Sequence, residues 1–140
     1  MLRGKQVLAY TAGIIDGEGC INITKFNTKS KRGFSYKLVV SVWSTSAWLT
    51  QWLKMQYGGS VVPRKTWIGS YPTKKQQWKW QLENRKAKAF LHLILPYLNL
   101  KAPEAELGIS FQNKMSKWPK TEVELAILEA ERLLCSKMKK

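Results

Sequence analysis

The chain alternates between stretches with a three-to-four-residue apolar repeat, typical of helices, and stretches with a two-residue repeat, typical of strands. The first kind covers residues 5–18 and stops at the tetrad "DGEG". The period then becomes two, with Ile21 and Ile23 alternating with Asn22 and Thr24. The pattern therefore predicts a helix followed immediately by a strand.

Three more strands are predicted by the same criteria. A polar turn, "NTKSKRG", separates the first strand from a second, "FSYKLVVSVWS". A helix that ends at Gly58-Gly59 comes next, and a second hairpin is formed by "SVVPRKTWI" and "QQWKWQL". The parity of these elements places four tryptophans in the core beneath the sheet: Trp48, Trp52, Trp78 and Trp80.

Helices complete the chain. Asn84 is expected to cap a helix that runs to about Leu95, and two prolines then bracket a turn. Further helices are predicted over about 104–115 and 122–136. The chain is thus expected to be a single domain, 1–140, of the α+β class: αββαββα with a four-stranded antiparallel DNA-binding sheet and C-terminal helices over about 104–136.

The interpretation of the sheet as DNA-binding follows from its polarity. In all four strands one face is Ile, Leu, Val or Trp, and the other carries Asn, Thr, Ser, Gln and Lys. Such side chains can read base edges, and β-ribbons fit the major groove of DNA. The ordinary alternative is a sheet with one solvated face.

Charge favours DNA over that alternative. The chain has 24 Lys and Arg against 9 Asp and Glu, a net charge of +15. The segment from Gly19 to Leu82 holds eleven basic residues and no acid, which leaves 13 basic and 9 acidic residues elsewhere. A solvated basic surface does not explain the missing acids, whereas a polyanionic partner does.

Other classes of protein are excluded by composition. Cys20 and Cys135 lie far apart, so a disulfide framework or zinc cluster is not expected, and a reducing intracellular setting fits best. No apolar run is long enough to span a bilayer. The sequence predicts a soluble protein with neither a membrane partner nor a small-molecule substrate.

The first helix carries an unusual stripe of small residues. Ala9, Gly13 and Gly17 recur every four residues. Glycine in a helix costs about 1 kcal/mol relative to alanine, so two of them need a reason. Small residues at this spacing allow another backbone to approach closely. We therefore expect this stripe to form a close contact with another helix.

The stretch "TAGIIDGEG", residues 11–19, resembles the signature motif of the LAGLIDADG homing endonucleases. Thr11 replaces the first leucine, Gly17 replaces the second alanine and Glu18 replaces the second aspartate. The strand order and "LPYLNLKAPEAEL" are similar to the single-motif members, so the resemblance covers about residues 7–116.

This resemblance implies a divalent-metal-dependent DNA endonuclease. It gives Glu18 and the Gly17 carbonyl as metal ligands, with Asp16 capping or positioning its neighbours. Mg²⁺ is the expected metal, and Ca²⁺ or Mn²⁺ can substitute in the site. The family's basic residue falls on Lys101 and its polar residue at the end of the second strand on Ser44, where glutamine is common. Mg²⁺ prefers oxygen ligands and can activate water for phosphodiester hydrolysis, and a lysine can stabilise developing charge.

One motif copy without an internal repeat predicts a C2 homodimer. Two-fold symmetry then predicts a long pseudo-palindromic target whose half-sites lie about one helical turn, roughly 10 bp, apart. The expected dimer interface comprises Ala9, Ala12, Gly13, Asp16 and Gly17. The expected DNA contacts are Asn22, Thr24, Asn27, Lys29, Lys31, Arg32, Lys37, Ser41, Lys65, Gln77, Lys79 and Gln81.

The sequence thus favours an intron-encoded type of homing endonuclease that acts wherever its target DNA lies, in a prokaryotic cytoplasm or an organelle. The alternative is a non-cleaving nucleic-acid binder on the same fold, an intron RNA maturase or a DNA-binding regulator. The two differ in whether function requires the Glu18 carboxylate.

Overall fold

Helix α1 (Lys5–Glu18) passes into strand β1 (Gly19–Asn27) without a connecting loop. The structure is a computed structural model that describes residues 4–64, 67–68, 71–72, 76–117 and 121–139. At the junction, a Cβ on Gly19 would lie 2.8 Å from the Ile15 Cα. Because real Cβ atoms do not approach so closely, only glycine fits where the helix turns into the strand.

The remaining elements follow in an α+β order that confirms the predicted fold class. They are β2 (Phe34–Ser44), α2 (Ala47–Tyr57), β3 (Ser60–Arg64), β4 (Trp67–Ile68), β5 (Tyr71–Pro72), β6 (Gln77–Glu83), α3 (Asn84–Ile94), a 3-10 turn (Leu95–Tyr97), α4 (Ala102–Lys117) and α5 (Glu122–Lys137). The prediction of one continuous third strand is wrong. β3 ends at Arg64, and β4 pairs with β5 in a separate small hairpin.

The start of α3 also differs from the prediction. Asn84 is the first helical residue, with a φ of 54°, and Glu83 occupies the cap position without a side-chain capping bond. Asparagine tolerates this left-handed conformation better than most residues. Asn84 therefore serves the turn from strand to helix through its backbone rather than through its side chain.

The four-stranded sheet has the order β1-β2-β6-β3 and is antiparallel throughout. Its register pairs Ile21 with Val40 and Val42 with Trp80. These four side chains have no exposed surface, so the face of the sheet that carries them is the one packed against the helices. Each large apolar side chain buried there contributes about 1.5–3 kcal/mol relative to exposure.

Among the described residues, helices cover only this apolar face. Phe90 and Leu91 of α3 and Phe111 of α4 are buried against it. Helix α5 lies along β1, where the buried Cys135 thiol donates to the Ile21 carbonyl at 3.4 Å. The opposite, polar face of the sheet is left without a helical layer.

Helix α5 is attached to the sheet by a carboxylate clamp. The Tyr36 hydroxyl donates to Glu129 Oε2 at 2.7 Å, and Arg132 donates to both Glu129 oxygens at 2.5 and 3.1 Å. The hydrogen bond from Arg132, assisted by the one from Tyr36, lowers the pKa of Glu129 to about 2. Burial, with the hydrogen bond to Glu129 second, raises the pKa of Tyr36 to about 12.

The clamp predicts loss of stability in acid. A carboxyl whose pKa is lower in the folded chain stabilises above its unfolded pKa, and this contribution disappears as protons bind. The free energy of unfolding should therefore fall as the pH drops from 4.5, the ordinary pKa, towards about 2. Glu129→Gln should be less stable near pH 7 and lack this part of the acid dependence. Urea unfolding at several pH values measures both effects, and equal pH slopes for the two proteins would contradict the prediction.

Candidate functional site

Asp16 joins the end of α1 to the turn before α4. Its carboxylate accepts hydrogen bonds from the backbone N–H groups of Asn99 at 2.8 Å, Leu100 at 3.1 Å and Lys101 at 3.0 Å. This confirms the expectation that Asp16 positions its neighbours. Its carboxylate is directed to a turn of its own protomer, while its place in the dimer interface stays a prediction.

Lys101 reaches back across the same junction. Its half-buried Nζ donates to the carbonyls of Ile15 at 2.8 Å and Asp16 at 3.0 Å. These carbonyls belong to the last turn of α1, where a cation also interacts favourably with the helix dipole. An ammonium has three N–H donors, so one remains for an acceptor beside the end of α1.

Glu18, the last residue of α1, lies next to this anchored lysine. It is exposed, and within the described part of the chain its carboxylate has no hydrogen-bond or ion-pair partner. The exposed Gly17 precedes it, and the Lys101 bonds stop at the Asp16 carbonyl. The last turn of a helix leaves carbonyls without intrahelical partners. Glu18 and the Gly17 carbonyl are therefore candidate oxygen ligands at the exposed end of α1.

Ser44 lies at the same end of the sheet. Gly19 pairs with Val42, which places the end of β2 beside the end of α1. The Ser44 Oγ accepts the Ser46 N–H at 2.9 Å and so braces the start of α2. Its own O–H stays available as a donor.

The small-residue stripe of α1 faces away from the protomer. Ala9, Gly13 and Gly17 are exposed, and a Cβ added to either glycine would meet no atom within 4 Å. They line a groove of about 450 Å³ that ends at Glu18. Ala12, which was also predicted at the interface, is 0% exposed in the protomer, so its side chain is not available to a partner as the protomer stands. At 100° per residue, position 12 lies 100° round the helix from position 13, to one side of the stripe.

The polar face of the sheet gathers most of the predicted DNA-contacting side chains. Partly exposed on this face, as the register places them, are Asn22, Thr24, Lys37, Gln77, Lys79 and Gln81. Asn27, Lys29 and Lys31 are exposed at the end of β1 and in the following turn. Arg32 is partly buried there, with its Nε donating to the Phe34 carbonyl at 2.9 Å.

Two of the residues predicted to contact DNA do not belong to this exposed group. Ser41 has the predicted parity but is only 3% exposed, because it lies between Cys20 and Gln81 in the middle of the sheet. It is not available for contact as the face stands. Lys65 lies outside the described residues.

Solved structures share this arrangement, although no protein-family model and no curated protein matches the chain. The homing endonuclease I-CvuI, in complex with the I-CreI target, superposes with a TM-score of 0.79 and 19% identity, covering 96% of this chain and 82% of that one. The archaeal intron-encoded I-Vdi141I, complexed with DNA, superposes with a TM-score of 0.77 and 15% identity. It covers 96% of this chain and 84% of that one. The LAGLIDADG homing endonuclease I-SmaMI, bound to cleaved DNA, superposes with a TM-score of 0.70 and 17% identity, covering 94% of this chain and 45% of that one.

The chain has the LAGLIDADG homing endonuclease fold. The resemblance seen in "TAGIIDGEG" is confirmed at this level. In the terms of that fold, α1 is the motif helix, and its free face is the small-residue stripe that ends at Glu18.

The LAGLIDADG sheet of this chain has two aromatic supports that the sequence analysis missed. Lys37 Nζ lies 5.4 Å from the centre of the Phe26 ring, and Lys79 Nζ lies 5.1 Å from that of Trp43. Cations over aromatic faces are attracted by the ring quadrupole. The rings therefore orient two ammonium groups on the polar face. Positions 26, 37, 43 and 79 share one strand parity, so the sequence pattern could have indicated that these rings and lysines lie on the same face.

A carboxylate on the same face was also missed. Lys37 Nζ lies 3.3 Å from Glu83 Oε1, and the Gln81 side-chain amide donates to that same oxygen. Glu83 is the first residue after the acid-free segment, so counting along the chain placed it outside the basic region. Strand parity with Lys79 and Gln81 puts it on the polar face.

No helix in the described ranges is long and apolar enough to cross a membrane.

The junction held by Asp16 should be sensitive to substitution. Asp16→Ala removes the acceptor of three N–H groups, and we expect a loss of roughly 1–3 kcal/mol of stability. Asp16→Asn keeps one acceptor oxygen and should lose less. Chemical denaturation should show the free energy of unfolding decreasing from wild type to Asp16→Asn to Asp16→Ala. An Ala variant as stable as wild type would contradict the role of these bonds.

Proposed function

We propose that this chain is a site-specific double-strand DNA endonuclease that acts as a metal-dependent homodimer. The observation that carries the proposal is the end of α1: a free carboxylate, Glu18, lies at the end of an exposed small-residue stripe with Lys101 anchored beside it. The DNA complexes of I-CvuI, I-Vdi141I and I-SmaMI support a DNA substrate for this fold.

The oxygen atoms at this end fit a hard divalent cation. Glu18 and the Gly17 carbonyl would hold Mg²⁺, which favours oxygen ligands, and Ca²⁺ or Mn²⁺ could occupy the same place. A bound divalent ion supplies an activated water and neutralises charge on the attacked phosphate. Asp16 is occupied by three N–H groups, so it is not part of this ligand set.

Lys101 and Ser44 complete the proposed site. Lys101 keeps one N–H free, and its two bonds to α1 carbonyls hold the ammonium near Glu18, where it would stabilise charge that develops on the phosphate. The Ser44 O–H would bind water or phosphate from the adjacent end of β2. Each bond that holds these groups in place lowers the cost of ordering them during reaction.

A second copy of the chain is needed to complete the active centre. In the described part of one protomer no group of three acidic, histidine or cysteine residues could enclose a metal ion. Packing two α1 helices along Ala9, Gly13 and Gly17 would bring two Glu18 carboxylates together, one for each DNA strand.

DNA recognition is assigned to the polar face of the sheet. As a single domain, each protomer would lie over one half-site, so the target would be a long pseudo-palindrome. The loop residues Asn27, Lys29 and Lys31 would extend the contact outward. An intracellular, intron-encoded homing enzyme is the biological role that fits such a site.

The test is incubation of the purified protein with a randomised double-stranded DNA library, with and without Mg²⁺, followed by sequencing of all new ends. We expect metal-dependent ends at one pseudo-palindromic sequence. Tight, selective binding without new ends would overturn the endonuclease assignment and favour the non-cleaving binder.

A further inference from the structure

Glu83 is the only acidic residue in the four strands of the main sheet. It lies on the polar face, where its described neighbours are amides, hydroxyls, ammonium groups and the rings of Phe26 and Trp43. A carboxylate on a surface that approaches phosphates repels them and weakens binding. Such a residue calls for a function that compensates for this repulsion.

The surroundings of Glu83 suggest base reading rather than stability. Its partner Lys37 is 30% exposed and Glu83 itself 39% exposed, and an ion pair this accessible to water adds little to stability. Glu83 also makes no capping bond to α3. Neither the fold nor the helix start depends visibly on its charge.

The register places the pair on the recognition surface where β6 ends beside β2. Val39 pairs with Asn22 on one side and Glu83 on the other, and Lys37 lies two residues along β2, paired with Thr24. Both charges therefore project from neighbouring positions of the same face. The Gln81 amide, which donates to the Glu83 carboxylate, holds that carboxylate in orientation.

A positive and a negative group 3.3 Å apart match one base-pair edge. In the major groove a C·G pair presents the cytosine N4 amino donor next to the guanine O6 and N7 acceptors. A carboxylate accepts from N4, and a lysine donates to O6 and N7. An A·T pair also presents one amino donor and two acceptors, but its N6 donor lies between adenine N7 and thymine O4, so an ammonium on one side of the carboxylate reaches only one of those acceptors.

We propose that Glu83 and Lys37 form a joint reader of one C·G pair in each half-site, with Glu83 a specificity-determining residue. This rests on the proposed DNA-binding function and adds the base that the site selects. The negative charge rejects base pairs that place an acceptor, such as guanine O6 or thymine O4, opposite the carboxylate. It also keeps Lys37 from binding phosphates without regard to sequence.

The experiment is selection of bound half-sites from a randomised duplex library by the full-length wild type, Glu83→Gln and Glu106→Gln. Glu106 is an exposed acid on α4, outside the polar face, so its variant controls for the change in net charge. Wild type and Glu106→Gln should prefer C·G by roughly ten-fold or more at one symmetry-related pair of positions. Glu83→Gln should lose that preference alone, while its sequence-independent affinity rises and its salt dependence steepens.

Lys37→Gln provides a second, independent variant. It should relax selection at the same base pair, because both side chains read that pair. Circular dichroism confirms that each variant is folded before selection. If Glu83→Gln keeps all wild-type preferences, or if the two variants alter different positions, the joint reader is refuted. A wild type that selects no sequence at all would instead refute the proposed function.

Discussion

Replacing Glu18 with glutamine is expected to abolish cleavage while leaving DNA binding intact. The substitution keeps the size of the side chain and removes the charged oxygen that would hold the metal. Metal ions supply several kcal/mol of transition-state stabilisation, so we expect the cleavage rate to fall by about a thousand-fold or more. Binding depends on the sheet, so the affinity for target DNA should change by no more than about three-fold. Plasmid cleavage and a gel-shift titration on the same target measure the two effects.

Glu106→Gln is the matched control for this prediction. It makes the same change of charge at an exposed position on α4, away from the end of α1. Its cleavage should equal that of the wild type. Continued cleavage by Glu18→Gln would remove Glu18 from the metal site, and parallel loss in both variants would indicate a general effect of charge.

Gly13→Leu is expected to convert the proposed homodimer to monomers and to eliminate double-strand cleavage. In the protomer a side chain at Gly13 meets nothing within 4 Å, so the fold has room for it. Leucine also favours a helix by about 1 kcal/mol relative to glycine. In the dimer the same side chain would separate two helices that must pack closely, and symmetry introduces it twice. Sedimentation and thermal melting distinguish loss of association from loss of folding.

Ala89→Leu on α3 serves as the control for Gly13→Leu. Ala89 is an exposed helical position that does not line the groove along α1. This variant should remain dimeric and active. A dimeric, fully active Gly13→Leu would show that the protein associates through another surface.

Local patterns sufficed to predict most of the elements, and which residues of each strand face the core, but not the end of the third strand. Ile21, Val40, Val42 and Trp80 alternate with polar residues, and all four are fully buried. Burial of Trp48 was predicted on the same grounds and is wrong, since its side chain is 65% exposed and stacks on Trp52 at 6.3 Å. Helical spacing defines a face, but which residues at its margin are covered depends on neighbours that no local pattern specifies.

The candidate site shows the same limit. The motif placed Asp16, Glu18 and Lys101 together, and the structure adds which groups are occupied: Asp16 by three N–H donors, Lys101 by two carbonyls. Those bonds span 83 to 86 positions of sequence, so periodicity cannot reveal them. Glu83 was missed for a related reason, because proximity to Lys37 comes from strand pairing and not from closeness along the chain.

The direct passage from α1 to β1 at Gly19 limits how the target preference of such a protein can evolve. With no spare residue between the two elements, an insertion or deletion early in β1 would shift Glu18 relative to the bases that the strand would face in the proposed DNA complex. New specificities should therefore arise by exchange of side chains along β1, whereas the exposed turn at 28–33 can vary in length. Engineers who retarget this scaffold should diversify residues in the strand and reserve length variation for that turn.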